Sequence, residues 1–317
     1  MCFICLLQFS YCLLVCILGK LKLGFFTETS HAIWSESGGI DNFKITAHGT
    51  ECSSGPSSRS SSDDREMCAH FWGDPHLVTF DGLKYDCQGE GEFTLIKSLE
   101  STFQVQGRFE SAAEASQRVA VTRSFVVQTG DENVPKIQLN VPSNMSQGCI
   151  IDLFVDDVLH NITANGTNND HVQVQLVGNS GARRVTIFYP GSGLHFTSLL
   201  SESETYGCYL STSVCLPNDY RSSETFVGLL GSPNGDRKDD WMTPEGSVVS
   251  VVADKRFEPA YKYCTENWCV RDGASSLFTY KQGEGFQDYF NCDAAYNTEI
   301  EDAVANASEE LISICSG

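Results

Sequence analysis

The stretch that decides the fold is Gly73-Asp-Pro-His-Leu-Val-Thr-Phe-Asp-Gly82, read together with Val227-Gly-Leu-Leu-Gly-Ser-Pro-Asn-Gly-Asp-Arg-Lys-Asp-Asp-Trp241. In the first stretch, strand formers from Leu77 to Phe80 lead into Asp81-Gly82, which predicts a β-strand that enters a tight turn. The second stretch is an apolar segment followed by a turn crowded with carboxylate and amide oxygens. Two motifs in a fixed order are more specific than either motif alone.

Both stretches resemble the signature ends of a von Willebrand factor type D domain. The family's opening motif, Gly-Asp-Pro-His followed by Thr-Phe-Asp-Gly, stands here at 73–76 and 79–82. Its later motif, an Asn-Gly-Asp turn followed by paired acids, stands at 234–236 and 239–240. The resemblance covers residues 68–270 and implies a β-sandwich.

Short segments of alternating apolar and polar residues also indicate a β-sandwich or barrel. They are rich in Val, Ile, Phe and Thr and are separated by Gly, Asn-Gly and Pro, which is typical of antiparallel strands. The predicted strands lie within Glu92–Ser98, Phe103–Glu110, Val119–Thr129, Lys136–Val141, Cys149–Val158, His171–Gly178, Arg183–Gly191, Leu194–Leu199 and Val248–Val252. This many strands excludes a helical or doubly wound fold. The predicted fold class is therefore all-β, an antiparallel β-sandwich of the type D kind with a small, partly helical C-terminal extension.

The chain divides into four predicted regions. Residues 1–19 are an apolar run that fits a secretory signal, although Lys20 and Lys22 behind it also fit a retained N-terminal anchor. Residues 20–67 are a polar, Ser-rich linker, and 68–270 form the type D domain. Residues 271–317 are a cysteine-bearing extension, in which apolar spacing predicts one amphipathic helix over Asn297–Ile314.

Composition indicates a folded protein of the secretory pathway. The formal net charge of -20 over 317 residues repels a phosphate backbone and excludes nucleic acid as a partner. Outside the apolar run the cysteines form an even set, typical of a disulfide framework in an oxidising compartment. These are Cys52, Cys68, Cys87, Cys149, Cys208, Cys215, Cys264, Cys269, Cys292 and Cys315. N-glycosylation sequons begin at Asn144, Asn161, Asn165 and Asn306.

The turn after Pro233 is a candidate calcium site. Calcium takes about six to eight oxygen ligands, and Asn234, Asp236, Asp239 and Asp240 place such oxygens around a bend that Gly235 allows. The spacing is not that of an EF-hand. On the loop alone, an Asn-Gly hairpin with solvated acids is the favoured interpretation.

The resemblance strengthens the calcium interpretation. It implies that Asp81 joins the loop, so that Asp81, Asn234, Asp239 and Asp240 supply side-chain oxygens and Asp236 a backbone carbonyl. Ser232 stands where the family often has an Asn ligand. The implied role of calcium is structural, because it would connect distant strands and neutralise acids that repel each other.

Three other chemistries find less support in the sequence. The family's Cys-Gly-Leu-Cys-Gly motif is replaced by 227–231, which excludes redox chemistry there and disfavours covalent assembly. Self-cleavage between Asp74 and Pro75 is a hypothesis, because an aspartate carboxylate can attack its own carbonyl. Zinc at Cys68, His70 and His76 lacks a fourth ligand, and an oxidising compartment favours a disulfide for Cys68. Cys264 with Cys269, and Cys208 with Cys215, are interpreted as bridges.

These patterns predict a secreted or cell-surface, non-catalytic module for adhesion, matrix or mucus-type interactions. Its expected partners are extracellular or cell-surface proteins or glycans, with a membrane contact only if the N-terminal segment is retained. A self-cleaving domain is the first alternative. An enzyme is the second, although no serine elbow with its base and no phosphate loop is present in the sequence.

Overall fold

The computed structural model describes residues 12–17, 20–25 and 67–293, the last stretch with short gaps. The gaps are 74, 113–119, 143–147, 161, 163–166, 169, 179–182, 204–205, 218–219, 221–224 and 251–256. Several predicted features fall outside the described residues: Asp74, Cys52, Cys315, Asn144, Asn161, Asn165, Asn306 and the helix predicted at 297–314. The chain forms two units, the first of 1–62 with 306–317 and the second of 63–305.

In the first unit, an antiparallel pair of strands is described. Strands β1 (Cys12–Ile17) and β2 (Lys20–Phe25) pair from Cys12 opposite Phe25 to Ile17 opposite Lys20. This hairpin lies across the end of the apolar run interpreted as a signal or anchor.

The second unit contains two antiparallel sheets. Its strands are β3 (Met67–Trp72), β4 (His76–Val78), β5 (Lys84–Asp86), β6 (Gly91–Ser98), β7 (Gln104–Ser111), β8 (Ala120–Gln128), β9 (Ile137–Asn140), β10 (Asp152–Val155), β11 (Val158–His160), β12 (Thr167–Asn168), β13 (Gln173–Val177), β14 (Arg183–Phe188), β15 (His195–Ser203), β16 (Gly207–Leu216) and β17 (Phe226–Val227). Sheet I has the order β11-β10-β9-β8-β7-β6-β17, and sheet II has the order β12-β13-β14-β15-β16-β3-β4-β5.

The two sheets share one apolar core built from aromatic and branched side chains. Phe125 of β8 meets Phe71 of β3 edge to face at 6.0 Å and stacks on Phe196 of β15 at 5.5 Å. All three rings are fully buried. Aromatic pairs in these geometries add to the stability that burial provides. The predicted β-sandwich is thus confirmed.

Most predicted strands are present with shifted ends. Every alternating segment from Glu92 to Leu199 contains a strand, but the one predicted at Cys149–Val158 splits into β10 and β11. The split occurs at Asp156 and Asp157, which adopt positive φ angles of 46° and 69° in a tight turn. The strand predicted at Val248–Val252 is wrong over its described part, where Val248 makes only an isolated bridge with Met242.

Eight of the predicted disulfide cysteines form four bridges. The bridges are Cys68–Cys215, Cys87–Cys264, Cys149–Cys208 and Cys269–Cys292. The prediction that Cys68 is disulfide-bonded is confirmed, with its partner directly opposite it on β16. The members of the two closely spaced pairs are bridged, but to distant cysteines instead of to each other.

The chain after the sandwich returns to it through short helical turns. These are α1 (Phe257–Lys262), a π-helical turn (Tyr263–Trp268), a 3-10 turn (Gly273–Ser275) and α2 (Phe286–Tyr289). Trp268 is buried, as predicted for a core residue. Beyond it, Val270 donates its N–H to the Glu92 carbonyl, so the described part of the extension begins on strand β6.

Candidate metal centre

The first motif of the sequence, residues 73–82, includes the turn between β4 and β5. Gly82 donates its N–H to the Thr79 carbonyl and has a φ of 82°, a conformation that glycine adopts without strain. The Thr79 hydroxyl accepts the Leu83 N–H at 2.8 Å and so closes the same turn. This geometry places Asp81 at the tip of the turn.

The second motif is anchored on the edge of sheet I. After β17, Leu229 and Leu230 donate their N–H groups to the carbonyls of Thr94 and Leu95 on β6. Phe80 in turn donates its N–H to the Leu230 carbonyl at 3.1 Å, which joins the two motifs directly. Gly228 is required there, because a Cβ would lie 2.5 Å from the Leu95 carbonyl oxygen.

Three carboxylates converge where the motifs meet. One oxygen each from Asp81, Asp239 and Asp240 lies within 4.8 Å of the other two. Among the residues that the structure describes, this is the one group of acidic, histidine or cysteine side chains with such geometry. Asp240 is buried, and the other two acids are partly buried.

Each carboxylate accepts a hydrogen bond from a neighbouring residue of the two motifs. The Thr79 hydroxyl donates to Asp240 Oδ2 at 2.7 Å, and the Gly235 N–H donates to Asp81 Oδ2 at 2.8 Å. The Asn234 amide donates to Asp239 Oδ2 at 2.8 Å. The remaining oxygens, Oδ1 of Asp239 and Oδ1 of Asp240, are buried without a hydrogen-bond partner among the described residues. Buried carboxylate oxygens without partners are costly unless a cation compensates them.

The electrostatics of the cluster disfavour charge on its members. The pKa of Asp240 is raised to about 7, chiefly by burial and also by repulsion from Asp81 and Asp239, while the Thr79 hydrogen bond acts in the opposite direction. Burial also raises the pKa of Asp81, against the lowering effect of backbone N–H groups in the 234–236 turn. A site with such groups gains most from a bound cation.

The other two predicted ligands lie in the same turn but outside the carboxylate group. Asn234 accepts the Asp236 N–H through its Oδ1, so its side chain serves the turn and Asp239 together. Asp236 is exposed, its side chain accepts the Lys238 N–H, and its carbonyl accepts the Asp239 N–H at 3.3 Å. Their role as ligands stays a prediction.

Sequence reasoning missed two residues that shape the cluster. Thr79 was treated only as part of a strand, although its hydroxyl holds Asp240. Gly231 lies against Asp240, and a Cβ at this position would overlap its carboxylate. The family motif contains both residue types, but nothing in the sequence shows which atoms they meet.

Aromatic side chains fix the segment that follows the cluster. Trp241 stacks on Tyr263 with 4.7 Å between centroids, and Tyr85 meets Trp241 edge to face at 5.2 Å. Trp268 donates its indole N–H to the Met242 carbonyl at 3.0 Å, and the Tyr85 hydroxyl bonds the Leu229 carbonyl. The paired acids therefore lie directly before a well-packed segment.

The remaining predicted sites are not assembled in the described residues. Cys68 is bridged and His76 pairs with Asp86 at 2.6 Å, so Cys68, His70 and His76 do not form a zinc site. Pro75 is buried and its carbonyl accepts the Cys87 N–H, while the cleavage hypothesis at Asp74 stays a prediction. Within the described stretches, no helix is long and apolar enough to cross a bilayer.

A comparison with the sequence models of known families shows which family the chain belongs to. The sequence model of the von Willebrand factor type D domain matches residues 69–247, more than half of the chain. The chain belongs to the von Willebrand factor type D family. The matched range includes Asp81, Asp239 and Asp240, so the carboxylate cluster lies within the type D domain.

Several curated proteins with type D similarity resemble the chain. Human Sushi domain-containing protein 2 is 27% identical over 216 residues, covering 67% of this chain and 24% of the relative. Protein mesh of Bombyx mori is 27% identical over 213 residues, covering 64% of this chain and 13% of the relative. Mouse Mucin-2 is 26% identical over 202 residues, covering 61% of this chain and 4% of the relative. The chain thus spans a quarter or less of these relatives.

Proposed function

We propose that this type D domain is a calcium-stabilised, non-catalytic interaction module of an extracellular protein. The observation that carries the proposal is the convergence of three carboxylates within 4.8 Å, two of them with buried oxygens that lack partners. A cation at this point would satisfy those oxygens and offset the repulsion between the acids.

The donor set favours calcium over transition metals. All the available ligand atoms are oxygens of carboxylates, an amide and backbone carbonyls, which suit hard cations. Bound calcium would supply electrostatic attraction to these oxygens and no redox chemistry. Asp81, Asp239 and Asp240 would hold it, with Asn234 and the Asp236 carbonyl as further candidates.

The role that fits this position is structural. The Thr79–Asp240 hydrogen bond joins residues 161 positions apart. Asp81 lies in a turn between two strands of sheet II, whereas the paired acids follow a strand of sheet I. A cation held by both motifs would therefore stabilise the contact between the two sheets at this edge. Ligand binding to the folded state alone raises stability by mass action.

Calcium titration of the whole chain by calorimetry tests the proposal. We expect binding of about one ion per chain and a higher melting temperature with calcium than with a chelator. Replacing both acids, Asp239→Ala with Asp240→Ala, should remove the binding and the thermal shift. Glu245→Ala removes one exposed acid outside the cluster and serves as the charge control. Unchanged calcium binding in the double variant would refute the site.

The proposed extracellular location is supported by the disulfide bridges and by the similar proteins. Four disulfide bridges are typical of proteins that fold in an oxidising compartment. Relatives named as mucins and as Protein mesh support a role in adhesion, matrix or mucus-type assemblies. The proposed partners are extracellular or cell-surface proteins or glycans, and the protein would be secreted or held by its N-terminal segment.

Adhesion is tested by binding the purified chain to mucin-coated and matrix-coated surfaces. We expect binding with calcium that falls in chelator, and that falls equally in the double variant at 239 and 240. Binding that is absent from every surface while the calcium site is intact would refute the adhesion role and leave the structural site standing.

A further inference from the structure

The outer face of sheet II carries one of the four disulfide bridges. Cys68 of β3 lies directly opposite Cys215 of β16 in the antiparallel register, and their Cα atoms are 4.1 Å apart. Ala69 and Val214, the next residues along these strands, are fully buried in the core between the sheets. Because side chains alternate along a strand, the bridge lies on the opposite, outward face of sheet II.

This bridge joins two strands that are already paired. The register of β3 with β16 runs from Phe71 opposite Thr212 to Met67 opposite Leu216, so ladder hydrogen bonds hold the strands together beside the bridge. The other three bridges each join segments that are not neighbours in a sheet. Opening the bridge between β3 and β16 therefore leaves their backbone pairing in place.

The two sulfurs of this bridge differ in their access to solvent. Cys68 is partly exposed, whereas Cys215 is 5% exposed. An external thiol must reach the sulfur that it attacks, so Cys68 is the sulfur open to attack and Cys215 is the leaving group. Two other bridges are closed to this reaction, because their four cysteines are fully buried. These are Cys87–Cys264 and Cys149–Cys208.

The remaining bridge, Cys269–Cys292, has acidic surroundings. Cys269 is partly exposed and Cys292 is buried. Asp293 follows Cys292 directly, and Glu90 accepts the side-chain amide of Asn291 at 2.7 Å, so carboxylates lie on both sides of this bridge. Nearby negative charge disfavours a thiolate, which makes Cys292 a poor leaving group.

The surroundings of Cys215 favour a thiolate instead. The Ser213 hydroxyl lies 3.7 Å from the Cys215 sulfur. His195 of β15 stands directly opposite Cys215, and residues opposite each other share a face, with their Cβ atoms about 5 Å apart. A hydroxyl and an imidazole can both donate a hydrogen bond to a thiolate. In the described parts of β3, β15 and β16, no acidic residue occupies an outward position.

We propose that Cys68–Cys215 is a thiol–disulfide exchange site, at which an external thiol opens this bridge while the other three stay closed. The external thiolate attacks Sγ of Cys68 and forms a new S–S bond with it. The bond between the two cysteines breaks, and its electron pair stays on Cys215 as a thiolate, which takes a proton from water. A second external thiol then releases Cys68, so the bridge is reduced and the two external thiols become a disulfide.

The exchange would give the domain an outward-facing attachment point for thiol compounds. In the first step the thiol is bound covalently to Cys68, which is the chemistry of S-glutathionylation. The site shares no residue with the carboxylate cluster, so it is independent of the calcium proposal. The paired strands and the three closed bridges keep the domain folded after the exchange.

Reduced glutathione is the probe for this site in the full-length chain. The folded protein is treated for increasing times, free thiols are trapped with iodoacetamide, and peptides are identified by mass spectrometry. We expect glutathione on Cys68 and the alkyl group on Cys215, with this bridge opening about tenfold or more faster than any other. Another bridge that opens first, simultaneous opening of all four, or glutathione found on Cys215 overturns the proposal.

A variant at Ser213 tests the leaving-group assignment. Ser213→Ala removes the hydroxyl beside the Cys215 sulfur and should slow the opening by about threefold or more, since a hydrogen bond to the thiolate is lost. Thr197→Ala is the matched control, because it removes a hydroxyl from the outward position opposite Ser213 and should leave the rate unchanged. Both variants should melt as the wild type does. Equal rates in all three chains overturn the role of Cys215 as the stabilised leaving group.

Discussion

Thr79 donates its hydroxyl to the carboxylate of Asp240 at 2.7 Å, across 161 positions of sequence. Both groups are buried. The bond connects the turn after β4 of sheet II with the loop after β17 of sheet I. It therefore helps to hold the carboxylate cluster in place. A hydrogen bond to a buried charged group is stronger than one between neutral groups.

Replacing Thr79 by valine should therefore destabilise the domain. The variant keeps the shape of the side chain but leaves Asp240 without its donor and Leu83 N–H without its acceptor. We expect a loss of about 1–3 kcal/mol in the free energy of unfolding, measured by urea denaturation in chelator. Thr79→Ser retains the hydroxyl and should recover most of the loss. Equal stability of valine and wild-type chains would contradict the role of this bond.

The pH dependence of stability should report Asp240. Its pKa is raised to about 7 in the folded chain by burial and by the neighbouring acids, whereas in the unfolded chain it is about 4. Between these values the folded state binds the additional proton, so this group destabilises the fold as pH rises toward 7. In chelator, the melting temperature should rise when pH falls from 8 to about 5. Asp240→Asn should flatten this slope, and an unchanged slope would exclude Asp240 as its source.

Gly231 should be the most sensitive glycine of the cluster. It has a φ of 69°, and a Cβ would overlap the Asp240 carboxylate. We expect Gly231→Ala to lower the free energy of unfolding by more than about 1 kcal/mol and to weaken calcium binding. Gly246→Ala is the matched control, because its φ of 82° is similar and nothing lies within 4 Å of a Cβ there. Equal effects of the two variants would mean that backbone strain alone is responsible.

The bond between Asp74 and Pro75 offers a test that needs no variant to begin with. If this bond is cleaved in mild acid, a reducing gel should show two fragments. The Cys68–Cys215 bridge should hold them together without reductant, because it joins residues on both sides of the bond. Asp74→Glu lengthens the side chain by one methylene, so its carboxylate can no longer attack its own carbonyl through a five-membered ring, and cleavage should be prevented. A single intact band after acid treatment would remove self-cleavage from the functions of this chain.

Strands with clean alternation could be predicted because their side chains meet a single core. The segments from Glu92 to Leu199 follow this rule, and the structure shifts their ends and divides one of them into β10 and β11. Strand β16 was not predicted, although every second residue from Cys208 to Val214 is buried. One of these inward residues is a threonine and another is a cysteine, so the strand lacks a clear apolar pattern. The strand predicted from the apolar run Val248–Val252 is wrong in its described part, where Val248 forms only an isolated β-bridge with Met242.

The candidate site was predictable in part, because its acids stand in recognisable motifs. Asp81, Asp239 and Asp240 were named from the sequence and lie together. Thr79 and the outer-face glutamines were not, since their roles depend on what a distant segment places over them. Gln106 and Gln138 occupy positions that alternation assigns to solvent, and they are buried because residues 275–279 lie over them and hydrogen-bond to their side chains.

The bridge between Cys87 and Cys264 bears on where this domain can be cut for expression. A fragment ending at residue 247, where the family match ends, would leave Cys87 as an unpaired thiol on its core. It would also bring the Glu92–Arg108 ion pair into water by removing the aromatic rings above it. A fragment that keeps both bridges of this region therefore extends at least to Cys292, and a shorter one invites mispaired thiols and aggregation.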